Sequence, residues 1–198
     1  YLLPGMFGAK LTPIASVLPP MTAQNFELSS GGAAAVEIEE ALCEEPKYDF
    51  LHFGYNVQGY FDYTQGINCA KEQRKPLLLY FTGKQCSNCK QMQSFIWEDT
   101  RVQDYLNNKV IITKLYTDER HELPESEWYT SEMDGKVKKT MGKQNLDLQM
   151  TKFNVNSQPF YVLIDPETGD KLISETMEYE KDPDVFIEWL DKGLEAMK

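Results

Sequence analysis

The chain has 198 residues and a formal net charge of −11, a size that fits one domain with an extension or with insertions. An acidic surface repels phosphate backbones, which argues against nucleic-acid binding. No run of residues is long and apolar enough to cross a bilayer, and four cysteines are too few to build a disulfide scaffold of this length.

Residues 1–47 are predicted to form an apolar leader followed by an acidic linker. Several prolines interrupt regular structure in the leader. Its apolar start leaves two interpretations open: the end of a membrane helix, or an N-terminal arm packed on the domain. The acidic residues between Glu37 and Glu45 indicate a solvated linker or a short exposed helix.

A domain is predicted from residue 48 to residue 198. Apolar residues alternate over Leu51–Val57, which predicts a short strand. A helix is predicted over Asp62–Arg74 and ended by Pro76. Leu77–Phe81 is a continuous apolar run, typical of a strand that is buried on both faces.

The remaining elements alternate between helices and strands. They are, in chain order, a helix with Cys89, Met92, Phe95 and Ile96 on its buried face, a helical turn or two over Arg101–Asn108, a strand over Val110–Leu115, a surface insertion at about 119–143, a helix with Leu146, Met150 and Phe153 on its buried face, a strand over Phe160–Ile164, a hairpin partner over Lys171–Ser174, and a helix capped by Asp182. This order predicts an α/β fold with a central mixed sheet between layers of helices.

The segment with the clearest chemical signal is the Cys-x-x-Cys of Cys86 and Cys89, which follows a strand and opens a helix. Two cysteines at this spacing lie on one side of the first helical turn, so their sulfurs can close a disulfide. The unpaired N–H groups and the helix dipole stabilise a thiolate on Cys86, and Lys90 adds positive charge nearby. We therefore expect Cys86 to attack a substrate disulfide and Cys89 to resolve the mixed disulfide.

Two other interpretations of this pair are weaker. A zinc site needs four ligands, but there is no second Cys-x-x-Cys, and His52 and His121 are isolated. Inert core cysteines would not explain the polar loop before the pair. Cys43 and Cys69 could be buried thiols or a disulfide; no spacing argument favours their pairing, so we expect Cys69 in the core and leave Cys43 unassigned. No metal or cofactor is expected.

The strand Leu77–Phe81 followed by the Cys-x-x-Cys and Lys90 resembles the thioredoxin superfamily. The stretch Phe153–Pro159 is similar to the one before that fold's cis-proline. The resemblance implies a thioredoxin-like three-layer α/β/α sandwich. It also implies that Pro159, preceded by Gln158, is cis and lies opposite the cysteines, where it helps to dock a substrate peptide.

Lys114 falls where thioredoxins carry a lysine near the buried thiol, although a solvated lysine at a strand end is the alternative. The chain also departs from the pattern at four places. Thioredoxins carry a buried Asp at the position of Tyr80, a Trp at that of Gln85, Gly-Pro at that of Ser87-Asn88 and usually a Thr at that of Phe160. The proton acceptor for Cys89 is therefore open between Lys114, Tyr80 and water.

The leader followed by such a domain is similar to the C-terminal end of DsbD-type transmembrane thiol:disulfide interchange proteins. This resemblance implies a periplasmic reductase domain tethered to the inner membrane. It would take electrons from a membrane-embedded redox domain and pass them to other thiol/disulfide proteins. Alternatives are a disulfide isomerase or oxidase, a cytochrome c maturation thioredoxin, or a metal- or haem-delivery module that uses the same thiols.

Overall fold

The computed structural model describes residues 36–39 and 41–197. Most of the predicted leader, residues 1–35, therefore lies outside the described residues. Among the helices that are described, none combines the length and the apolar character that a membrane span requires.

Within this part of the chain, five α-helices and five strands follow one another. The first half contains α1 (Tyr63–Gln73), β1 (Leu77–Thr82), α2 (Ser87–Ile96), α3 (Thr100–Asp104) and β2 (Ile111–Tyr116). The second half contains β3 (Tyr129–Thr130), β4 (Val137–Lys138), α4 (Met141–Phe153), β5 (Phe160–Ile164) and α5 (Pro183–Ala196). A π-helical turn at Tyr105–Lys109 joins α3 to β2, and a 3₁₀ turn at Glu125–Glu127 precedes β3.

The central sheet consists of β1 with β2 on one side and β5 on the other. β1 runs parallel to β2, with Tyr80 opposite Lys114, and antiparallel to β5, with Tyr80 opposite Tyr161. These strands are almost wholly buried because helices cover both faces of the sheet. The predicted α/β fold with a central mixed sheet between helices is therefore confirmed.

The two faces of the sheet contribute to two separate apolar cores, because successive residues of a strand point to opposite sides. Tyr80 belongs to the core that contains Cys89, which we call the α2 core. The neighbouring Phe81 belongs to the core that contains Cys69, which we call the α1 core. Cys89 and Cys69 therefore lie on opposite faces of β1.

The prediction of a strand over Leu51–Val57 is wrong. Gly54, Tyr55 and Asn56 have φ angles of 77°, 58° and 54°, so the chain turns where a strand would continue. Leu51, Phe53 and Val57 are still buried in the α2 core, and Tyr55 packs against it partly buried. The chain reaches the sheet only beyond them, through a single parallel bridge from Tyr60 to β2.

The hairpin partner predicted over Lys171–Ser174 is not a regular strand either. Isolated bridges join Lys171 to Ile164 and Met177 to Tyr161. A regular antiparallel ladder that starts at the first bridge would place Ser174 opposite Tyr161. Met177 takes that position, so three extra residues loop out between the bridges and interrupt the ladder.

The segment predicted as a surface insertion contains a small hairpin of β3 and β4. Asp147 of α4 is buried beneath it. Its carboxylate accepts from the Ser131 hydroxyl at 2.6 Å and the Tyr129 hydroxyl at 3.0 Å, and it pairs with Lys138. The hairpin is thus attached to α4 by a buried carboxylate whose charge is compensated.

The buried face predicted for α4 is only partly right. Phe153 is buried, whereas Leu146 and Met150 are half-buried. The helix turns Asn145 and Gln149 inward in their place, because both amides find hydrogen-bond partners inside the protein. Asn154 ends the helix in the left-handed conformation, with a φ of 56°, as Asn tolerates.

Cys43 and Cys69 form a disulfide with a Cα–Cα distance of 5.5 Å. The expected burial of Cys69 is confirmed, since it is 1% exposed, but it is not a free core thiol. The bond ties residues 41–47, which we call the stapled segment, to α1. The Tyr60 hydroxyl donates to Glu44 O, and Gln73 Nε2 donates to Ala41 O, so hydrogen bonds hold this segment as well.

Candidate active site

Cys86 and Cys89 form a disulfide at the first turn of α2. Cys86 is the N-cap residue, and the Cys89 N–H donates to Cys86 Sγ at 3.1 Å. Cys89 is fully buried, whereas Cys86 is half-buried. Cys86 is therefore the sulfur that a partner can reach, and the helix N-terminus would stabilise its thiolate once the pair is reduced.

The cis-proline loop lies directly against this sulfur. The Gln158–Pro159 peptide bond is cis, and Cys86 Sγ is 3.7 Å from the Gln158 carbonyl oxygen. Gln149, which is fully buried on α4, donates to Ser157 O at 2.9 Å and accepts from Gln158 Nε2 at 3.0 Å. A buried amide of a neighbouring helix thus holds the loop that carries Pro159 opposite Cys86.

On its other side, Cys86 follows a loop that is held by the residues after β2. The Asp118 carboxylate accepts from the Lys84 N–H at 2.8 Å and from the Gln85 N–H at 3.2 Å. The Lys84 side chain pairs with Glu119. Asp118 thus holds the backbone leading to Cys86, and Glu119 holds the side chain of Lys84.

Tyr80 is fully buried on β1, where thioredoxins carry an acid. Its hydroxyl accepts from Gln93 Nε2 at 2.7 Å, and its ring stacks on Tyr161 with centroids 4.1 Å apart. Burial raises the pKa of Tyr80 to about 12, so the phenol stays protonated near neutral pH. A protonated phenol cannot take the proton of Cys89, which leaves Lys114 or water among the predicted acceptors.

Lys114 lies next to Tyr80 on β2 and is 4% exposed, so the alternative of a solvated lysine is wrong. Its Nζ donates to Phe53 O at 3.4 Å and lies 5.5 Å from the centroid of the Trp97 ring. Burial lowers the pKa of Lys114 to about 7. A substantial fraction of this amine is therefore neutral near pH 7 and able to accept a proton.

The predicted site residues fall into three groups by their position relative to Cys86. The side chains of the outer set are exposed around Cys86, where a docked partner would meet them: Gln85, Ser87, Asn88 and Lys90. Pro159 and Gln158 flank the sulfur, while Tyr80 and Lys114 are buried on the face of the sheet that carries Cys89.

Sequence analysis missed Asp118, Gln149 and Gln93. A signal existed for Asp118, because residues that follow neighbouring parallel strands meet at the same edge of a sheet. A weaker signal existed for Gln149, which precedes Phe153 by one helical turn. Among the described residues, no group of three or more His, Cys, Asp or Glu side chains could hold a metal ion.

A mixed sheet between helices, a disulfide at a helix N-terminus and a cis-proline against the first sulfur together define a thioredoxin-fold protein with a dithiol–disulfide pair. The family described as thioredoxin-like domain matches residues 63–194, and the chain belongs to this family. No curated protein matches the sequence.

The solved structures that are similar to this chain include the following two. A DsbH oxidoreductase superposes with a TM-score of 0.55 and 19% identity, over 88% of this chain and 96% of the other. A thioredoxin from Thermus thermophilus superposes with a TM-score of 0.49 and 17% identity, over 69% of this chain and 86% of the other. At such identities the likeness to the DsbH oxidoreductase supports the fold alone.

Proposed function

We propose that the protein is a thiol–disulfide oxidoreductase that reduces disulfides in partner proteins. The observation that carries the proposal is the position of Cys86 Sγ, at the N-terminus of α2 and 3.7 Å from the Gln158 carbonyl. An extended peptide that lies along the cis-proline loop would bring its disulfide to this sulfur. Cys89 is fully buried behind it and would attack Cys86 Sγ to resolve the mixed disulfide.

The reaction begins with the reduced pair. The Cys86 thiolate attacks one sulfur of the partner's disulfide, forms a mixed disulfide and releases the other partner sulfur as a thiolate. Cys89, after loss of its proton, attacks Cys86 Sγ and releases the second partner thiolate. The partner gains two electrons and the pair loses two. The two partner thiolates then take up protons from solvent.

The proton of Cys89 needs an acceptor inside the protein. Among the described groups on this face of the sheet, Lys114 has the suitable pKa, about 7 because of burial. It is also held beside Tyr80 in the layer beneath α2. Lys114 takes up the proton as Cys89 becomes the attacking thiolate, and returns it to Cys89 when the pair is reduced again.

An insulin assay tests the proposal: dithiothreitol keeps the Cys86–Cys89 pair reduced, and the rate at which the protein reduces insulin disulfides is measured. We expect Cys86→Ser to lower the rate to the uncatalysed background, because the attacking sulfur is lost. Cys89→Ser should instead accumulate a mixed disulfide at Cys86, which mass spectrometry of the non-reduced complex detects. A wild-type protein that is folded and no faster than dithiothreitol alone would contradict the proposal.

We further propose that the protein works in the periplasm as a tethered electron relay of the DsbD type, with a membrane-embedded redox domain as donor. The Cys43–Cys69 disulfide supports an oxidising compartment. The resemblance of the leader to the corresponding part of DsbD-type proteins supports the tether. A relay of this kind needs a low potential, near the −270 mV or so of thioredoxins and far below the roughly −120 mV of a strong oxidant.

Equilibration of the Cys86–Cys89 pair with glutathione buffers measures this potential. A pair that stays oxidised except in strongly reducing buffer supports the relay. A pair that stays reduced in mildly oxidising buffer supports the isomerase or oxidase instead and contradicts the relay. An upstream reading frame without membrane helices would contradict the tether.

A further inference from the structure

Three consecutive residues after β2 bind the loop that leads to Cys86. The Thr117 N–H and hydroxyl both donate to Thr82 O, at 2.8 Å and 3.1 Å. Asp118 accepts from the backbone N–H groups of Lys84 and Gln85, and Glu119 pairs with the Lys84 side chain. The residues after β2 therefore contact the end of β1 and the loop that follows it. Asp118 makes the contacts nearest to Cys86.

The glycine before this loop shows how close the Asp118 carboxylate is to Cys86. A Cβ built at Gly83 would lie 3.1 Å from Asp118 Oδ2 and 3.4 Å from Cys86 Cβ. The carboxylate and the cysteine thus approach the same empty position from two sides. Asp118 Oδ2 is therefore within about 7 Å of Cys86 Cβ, the carbon that carries the sulfur, and at this range one charge acts measurably on another.

The charges around Cys86 come from three elements. The loop contributes Lys84, which pairs with Glu119, and α2 contributes Lys90, whose side chain is exposed. The segment after β2 contributes Asp118, with which no described Lys or Arg forms an ion pair. Residues 156–160 of the cis-proline loop carry no charged side chain. Asp118 is thus a carboxylate near Cys86 that no described Lys or Arg compensates by an ion pair.

We propose that Asp118 is a positioning residue that also sets the redox balance of the site: it holds the loop before Cys86 and, by its charge, disfavours the Cys86 thiolate. Reduction of the disulfide creates that thiolate, so a negative neighbour destabilises the reduced pair. The pair then gives up electrons more readily. This inference rests on the proposed function and supplies a physical reason for the direction of electron flow.

The test measures two equilibria of the folded protein. The first is the pH midpoint of the reaction of reduced Cys86 with iodoacetamide, which follows the thiolate. The second is the exchange of the Cys86–Cys89 disulfide with two molecules of reduced glutathione, which yields the dithiol and one molecule of oxidised glutathione. Asp118→Asn keeps one acceptor oxygen for the loop and removes the charge.

We expect Asp118→Asn to lower the alkylation midpoint by about half a unit to one unit. The disulfide should become roughly threefold to tenfold easier to reduce by glutathione, by the same interaction. Asp118→Ser, a second uncharged variant with a hydroxyl acceptor, should shift both equilibria in the same direction. Glu188→Gln, which removes a carboxylate on α5 that pairs with Lys192, should shift neither.

An Asp118→Asn or Asp118→Ser variant that unfolds like wild type and keeps both equilibria at wild-type values would overturn the inference. So would a shift in the opposite direction. The alkylation midpoint is measured on Cys86 itself and does not require any protein substrate. A wild-type chain that fails to reduce insulin would therefore defeat the proposed function, whereas unchanged midpoints in an active protein would defeat only the role of Asp118.

Discussion

The two disulfides of the protein are the same covalent bond in two different settings. Cys86–Cys89 closes a sequence separation of 3 residues, and its first sulfur is half-exposed at a helix N-terminus. Cys43–Cys69 closes a separation of 26 residues, and it too joins a half-buried cysteine, Cys43, to a buried one. Exposure therefore does not separate the two bonds. Cys86 caps a helix and lies against the cis-proline loop, which favours its thiolate, whereas stabilisation grows with the length of the closed loop. These features assign reactivity to the first bond and stability to the second.

The surroundings of the two bonds differ in the same sense. The stapled segment is held by paired polar groups, such as the hydroxyl of Tyr60 and the amide of Gln73. On the Cys89 face, by contrast, an amine is buried: Lys114 is 4% exposed, and its Nζ donates to Phe53 O at 3.4 Å. Burial of an amine disfavours its charged form, so this face carries a group that can exchange a proton near neutral pH.

The largest expected effect comes from removal of the Cys43–Cys69 bond. We expect Cys43→Ala/Cys69→Ala to lower the free energy of unfolding by about 3.5 kcal/mol, since the unfolded chain loses a constraint over 26 residues. The melting temperature should fall by about 10 °C. Urea unfolding of the oxidised protein measures the change, and the insulin assay should remain within about twofold of wild type.

The matched control removes the other bond. Cys86→Ala/Cys89→Ala should lose all exchange activity and lose only about half as much stability, because the loop it closes is short. The contrast between the two disulfides breaks down if both double variants lose similar stability, or if the Cys43–Cys69 variant loses exchange activity while folded.

Much of this arrangement follows from local sequence patterns. The apolar run of β1, the cysteine spacing and the residues before Pro159 each act within a few residues, so the sandwich and the cysteine pair could be predicted. The alternation over Leu51–Val57 gave a wrong prediction of a strand, because an irregular segment can also bury alternate residues. Only a partner strand makes such a pattern a strand, and here three left-handed residues prevent pairing.

The unpredicted parts of the site depend on contacts between distant segments. Asp118 acts on Gln85, 33 residues away, and Cys43 bonds to Cys69 across 26 residues. A polar residue that follows a strand, or a cysteine in a linker, has many possible partners until the fold selects one. Gln149 shows the same limit, because a buried amide on a helix is favourable only once Ser157 and Gln158 supply its hydrogen bonds.

An effect that is smaller per pH unit would sharpen the description of the Cys89 face. The pKa of Lys114 is lowered by burial from 10.5 to about 7, so between these values the unfolded state binds more protons than the folded state. The free energy of unfolding should therefore rise with pH through this window, by about 1.4 kcal/mol per unit, and level off below about pH 7. Lys114→Met should remove this slope and be more stable than wild type at pH 7.

Urea unfolding of the oxidised protein at intervals from pH 6 to pH 9.5 measures the slope without interference from thiols, since all described cysteines are in disulfides. Lys143→Met, at an exposed position on α4, is the matched control and should keep the wild-type slope. A slope that survives in Lys114→Met would mean that the amine is charged in the folded state over this range. It could then not accept the Cys89 proton, and water would remain as the acceptor. Loss of the slope in Lys114→Met, together with slower resolution of the mixed disulfide, would instead show that the buried amine takes part in the redox reaction. The Cys89 face of the sheet would then differ from the Cys69 face in function as well as in packing.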